Sequence, residues 1–121
     1  MRAVLKELYT IDMMQLLKDF KPAVYNNFGI WIRLIVGEEK TGGEESFDIK
    51  LCTPQWLIEN HQDSDIIFGR HHLIVFEYNY SKIYNKLKKH IENIHGDTWG
   101  EIGTKVGRIG YWEFEDYQEY R

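Results

Sequence analysis

Three histidines, His61, His71 and His72, stand near Asp63 and Asp65, and these are side-chain types that ligate transition metals. Their order, H-x-D-x-D-x5-H-H, matches no zinc-ligand spacing, and adjacent histidines in an extended segment point to opposite faces. They read as surface-loop histidines, and no metal is expected. Cys52 is the single cysteine, so no internal disulfide is available. Paired with a histidine it would be a nucleophile, but no activating signature surrounds it, and it reads as a small buried hydrophobe. Gly100, Gly103, Gly107 and Gly110 are spaced too irregularly for a phosphate loop and lack its Lys-Ser/Thr ending. Glu113 and Glu115 fall on one face of an extended segment, as paired glycosidase carboxylates require, but no cleft signal accompanies them. No catalytic residue and no cofactor is expected.

The elements that position these groups are organised around Glu44 to Ile58, EESFDIKLCTPQWLI. Phe47, Ile49 and Leu51 alternate with Ser46, Asp48 and Lys50, the two-residue period of a half-buried strand. Thr53 is then a helix N-cap and Pro54 suits the first helical position, where a missing N–H costs nothing. A strand therefore passes into a short helix ending near Asn60-His61, with Phe47 and Trp56 expected in the core.

Upstream, Arg2 to Tyr9 alternates as a strand, at an edge, with Ala3, Leu5 and Glu7 sharing a face. Met13, Met14, Leu16, Leu17 and Phe20 have helical spacing, predicting two helical turns over Asp12 to Phe20. Phe28 to Val36 is apolar on most of both faces and reads as a central strand. GEEKTGGEE, Gly37 to Glu45, joins it to Phe47–Leu51 as a hairpin. Downstream, Ile66 to Gly69 reads as a short apolar turn and His72 to Tyr78 as a fourth strand. Ser81 caps a helix with Ile83, Leu87, Ile91 and Ile94 on one stripe. Asp97 and Thr98 cap a last short helix, and the ending YWEFEDYQEYR reads as a final strand, a frayed helix being the alternative. The fold class is α+β: a mainly antiparallel sheet of about four or five strands packed with two to four helices, in a single domain over residues 1–121.

Composition narrows the function classes. Net charge is −4 and the hydrophobic fraction 43%, which excludes disorder from charge and supplies a core. The longest apolar run, Ile30 to Val36, is broken by Arg33 and falls far short of a membrane span. The charged N-terminus has no secretory h-region, so a cytoplasmic protein is expected. Mild acidity argues against nucleic acid as the partner. Lys82, Lys86, Lys88 and Lys89 lie within Ser81 to His90 without an acid, so the rest of the chain is more acidic than its average. The acids cluster in the hairpin, at Glu38, Glu39, Glu44 and Glu45, and near the C-terminus, at Glu113, Glu115, Asp116 and Glu119. Such clusters read as solvated surface or as a patch that steers a basic partner. Among the terminal aromatics, Trp112 and Phe114 read as core, while Tyr111, Tyr117 and Tyr120 suit an interface.

ESFDIKLCTPQWLIENH, with Asn27-Phe28-Gly29 upstream and WEFEDY near the end, resembles the immunity protein 8 family of bacterial polymorphic toxin systems. The resemblance implies a small cytoplasmic α+β protein that binds and neutralises the C-terminal domain of a cognate toxin, delivered by a contact-dependent inhibition or related secreted system. Nuclease toxins, common in such systems, tend to be basic, and an acidic inhibitor suits one. Phe47, Cys52, Thr53, Pro54 and Trp56 match the family pattern but have structural roles, so toxin binding is expected at Glu38, Glu39, Glu44, Glu45, Asp48, Glu113, Glu115, Asp116 and Tyr117. Two other classes stay open: a small enzyme, which needs His61, His71 or Cys52 in one cleft, and an interaction module that forms a homodimer through an exposed edge strand.

Overall fold

The computed structural model describes residues 1–62 and 66–115. The fold is α+β, with strands β1 (Ala3–Thr10), β2 (Gly29–Glu38), β3 (Glu44–Cys52), β4 (His72–Ile74) and β5 (Tyr111–Trp112), and helices α1 (Pro54–Asn60), α2 (Tyr80–Glu92) and α3 (Trp99–Val106). β1, β2 and β3 form an antiparallel meander, with β2 central and β1 at an edge. The other edge of β3 is shared: β5 pairs antiparallel with Phe47 and Asp48, and β4 pairs parallel with Lys50 to Cys52.

One face of this sheet carries the core. Leu5 and Leu8 of β1, Ile32, Leu34 and Val36 of β2, and Phe47, Ile49 and Leu51 of β3 bury against Ile83, Leu87 and Ile91 of α2 and Ile102 and Val106 of α3. The helical stripe of α2 recurs every three to four residues, so one side of the helix faces the sheet while its lysines stay in water. The corner forms as its sequence requires: Thr53 caps α1 through Trp56 N–H, and Pro54 opens the helix.

Several expectations are corrected. Residues Asp12 to Phe20 form no two-turn helix but a single 3-10 turn, Leu17–Asp19. Thr10 N–H donates to the Gln15 carbonyl at 2.7 Å and Met14 takes a φ of 49°, so the chain doubles back against β1 and leaves Met13 and Met14 exposed. The register of β1 shifts between Leu5 and Glu7. That bulge puts Leu8 and Thr10, not Glu7, on the side of Ala3 and Leu5. β4 stops at Ile74 rather than Tyr78, because β3 turns into the Thr53 corner and offers no further ladder; Phe76 is exposed. Asn79, not Ser81, caps α2 by accepting from Lys82 N–H. β5 is only two residues long, so Glu113 and Glu115 follow it in a turn and share no strand face. Phe114 is exposed, and Trp56 is half-buried outside the core.

Candidate binding face

Among the described residues, the second face of the sheet carries no helix-packed core. Alternation places Trp31, Arg33 and Ile35 of β2 and Ser46, Asp48 and Lys50 of β3 there, all partly exposed. The β1 bulge adds Glu7 and Tyr9. Registered pairing lines up Tyr9, Arg33, Asp48 and Tyr111 across four strands.

One end of this face is aromatic. Lys50 Nζ lies 5.0 Å from the Trp31 ring centroid and 4.7 Å from that of Trp56, a cation held between two π faces. Trp56 reaches this position from α1 because Gly29 has no side chain: a Cβ there would sit 2.3 Å from the indole. Tyr111 packs on Trp31 with centroids 5.9 Å apart. At the centre, Arg33 binds both oxygens of Asp48, at 2.8 and 3.0 Å. Those hydrogen bonds raise the guanidinium pKa further, against a smaller loss to burial, and Glu113 adds a weaker pull.

The other end is acidic. Glu7, Glu44, Glu45 and Glu113 line a shallow concavity of ≈ 520 Å³ together with Tyr9, Ile35 and Phe114. The Lys6 stem lies over Gly37, which pairs with Glu44. Glu45 is partly engaged by the Trp112 indole, which stacks on Phe47.

The sequence-predicted residues divide accordingly. Glu44, Glu45, Asp48 and Glu113 come together on or beside this face. Glu38 is 4% exposed and turns back into the hairpin, accepting from Lys40 and Thr41 N–H, which lowers its pKa. Glu39 pairs with Arg2 at 3.4 Å, and Glu115 pairs with Arg70. Asp116 and Tyr117 lie outside the described residues, as do Glu119, Tyr120, Asp63 and Asp65. Sequence reading missed Glu7 and Tyr9, which the bulge redirects, and treated Trp31 and Ile35 only as a second apolar side of β2. It also missed an apolar groove of ≈ 600 Å³ beside β4, between Ile74, Phe76 and Lys82.

Cys52 is fully buried and its thiol pKa is pushed up by burial, the reverse of activation. Among the described residues no group of three His, Cys, Asp or Glu side chains is disposed to hold a metal. His61 instead stands edge-on to Trp56 at 6.1 Å. Among the described residues, no helix is long and apolar enough to cross a membrane.

Rings and charges spread over a partly exposed sheet face are the ingredients of protein recognition. The immunity protein 8 family model matches residues 3–117, and the chain belongs to that family. No curated protein and no solved structure matches it.

Proposed function

We propose that this protein is a cytoplasmic, single-domain inhibitor that binds the C-terminal domain of a cognate toxin in a one-to-one complex and blocks it without catalysis. The observation that carries this reading is the open sheet face, with Trp31, Trp56 and Tyr111 at one end and Glu7, Glu44, Glu45 and Glu113 at the other. Half-buried rings supply apolar contact at low entropic cost, and the carboxylates steer a basic surface into register. Family membership supports the inhibitory role. The acidic end suits a basic toxin, such as a nuclease domain of a contact-dependent inhibition or polymorphic toxin system.

The test is binding to the toxin domain encoded beside this protein, with growth rescue on co-expression. Glu44→Lys and Glu113→Lys change exposed positions. Together they should weaken binding at least tenfold and slow association most at low salt. Unchanged affinity in the double variant, with rescue intact, would move the interface elsewhere; absence of any binding would reject the inhibitor reading.

A second reading has its own observation. Among the described residues β4 pairs with β3 on one side only, at the end of the sheet order, and Phe68, Ile74 and Phe76 are 95%, 49% and 83% exposed around it. An edge strand flanked by apolar side chains favours a homodimer through that edge. Sedimentation equilibrium of wild type against Phe76→Asp decides it: a dimer that the substitution dissociates supports this reading, and a monomer at all concentrations removes it.

A further inference from the structure

β4 and β5 divide one edge of β3 between them, and the division falls at Ile49. Asp48 pairs with Tyr111 and Lys50 with His72, leaving Ile49 as the residue between the two ladders. A cavity of ≈ 300 Å³ opens there, against Ile49 and Leu87. Its remaining walls are rich in nitrogen: Lys86 and His90 from α2, Arg108 after α3, and His71 with Arg70 from the turn into β4. Among the described residues no carboxylate lines it. Arg70 is paired with Glu115, but among the described residues Lys86, His90 and Arg108 have no ion-pair partner.

His71 is the unusual member. It is 3% exposed, its φ is 60°, and among the described residues neither buried ring nitrogen makes a well-formed hydrogen bond, the Ile109 backbone being the group that draws on the ring. A left-handed non-glycine residue that also carries a poorly satisfied polar ring is doubly unfavourable, by backbone strain and by unmet desolvation. Burial foremost, then the charge of Arg70, lower the pKa of His71 against a backbone hydrogen bond to Ile109 that raises it.

We propose that this cavity binds a small phosphate monoester, its head met by Lys86 and Arg108 beside His71 and its apolar body lodged against Ile49 and Leu87. Several separate cationic donors suit a dianionic, many-oxygen head better than a single carboxylate, and the apolar floor asks for more than inorganic phosphate. The volume is at the lower end for a small-molecule site. The site is independent of the toxin-binding reading, although the two share a residue contact: the His71 ring meets Tyr111 of the open face with centroids 4.1 Å apart.

The experiment is titration of the full chain with phenyl phosphate, inorganic phosphate and phenol, followed by amide NMR shifts and calorimetry. Phenyl phosphate should saturate one site, shift the amides around Arg70–Leu73, Lys86 and Arg108, and bind more tightly than either control. Lys86→Ala and Arg108→Ala, both at exposed positions, should each weaken it roughly tenfold. His71→Asn, which tolerates a positive φ, should weaken it as well while retaining the fold by circular dichroism. Absence of saturable binding, equal binding of inorganic phosphate or phenol, or wild-type affinity in both alanine variants would overturn the proposal.

Discussion

Arg33 and Asp48 face each other across β2 and β3 at the centre of the open face, joined by two hydrogen bonds of 2.8 and 3.0 Å with each side chain about one-third exposed. Bidentate geometry makes this pair stronger than an ordinary surface bridge, while partial exposure screens it. Asp48→Ala should therefore cost about 1 to 2 kcal/mol, Arg33→Ala a similar amount, and the double variant less than their sum. Urea unfolding of all four proteins measures the coupling; strict additivity would show that the pair contributes shape to the face but no stability.

Thr53 does more than cap α1. Its hydroxyl, fully buried, accepts from Phe28 N–H at 3.1 Å and from the part-buried Trp56 N–H at 3.3 Å, and lies 3.3 Å from the Phe28 carbonyl. Thr53→Val keeps the volume but leaves two N–H groups without this acceptor, so a loss of about 2 to 3 kcal/mol is expected. Thr53→Ser keeps the oxygen and should lose under about 1 kcal/mol. Chemical denaturation separates the two, and similar losses would point to the methyl group instead.

How much of this was legible in the chain depended on whether the signal was local. Phe47, Ile49 and Leu51 followed by Thr53-Pro54 specify a strand and a cap within ten residues, and the corner formed as read. Ile83, Leu87 and Ile91 likewise fixed the buried side of α2. The helix expected from Met13, Met14 and Leu17 failed because a turn closed by Thr10 and Gln15 outcompeted helical spacing. Glu7 was placed on the wrong face because a one-residue bulge inverts everything after it and leaves no mark in composition. The gathering of Glu7, Glu44, Glu45 and Glu113 depends on that bulge and on β5 finding Phe47, and neither is a local property.

Gly29 and Gly100 make a paired test of what a missing side chain does. A Cβ on Gly29 would lie 2.3 Å from the Trp56 ring, whereas on Gly100 the nearest neighbour is Thr98 Oγ1 at 4.0 Å. Gly29→Ala should displace Trp56 from its place beside Lys50, destabilise by roughly 1 to 3 kcal/mol and shift the tryptophan emission to the red. Gly100→Ala, on the exposed side of α3, should stabilise by roughly 0.5 to 1 kcal/mol through helix propensity. Thermal melts with fluorescence read both; an unshifted emission in Gly29→Ala would mean that α1 moves as a body with its indole.

Glu38 gives the hairpin a specific response to acid. Its carboxylate accepts from Thr41 N–H and Lys40 N–H, and these bonds, that of Thr41 foremost, hold its pKa below the ordinary value of 4.5 despite opposition from burial. The unfolded chain then binds its proton at higher pH than the folded one, so this contribution is fully present above pH 4.5 and is lost as pH falls through the lower folded value. Glu38→Gln removes the charged acceptor and with it that segment of the acid slope. Melting temperatures followed from neutrality down to pH about 3 should fall less steeply in the variant than in wild type, with the two curves converging at the acid end. Residual slope is expected from Glu59, Glu92 and Glu101, whose carboxylates are also held low by their partners. Parallel curves across the whole range would mean that the turn N–H groups find water as readily as the carboxylate, and that Glu38 is closed off without being a stabilising acceptor.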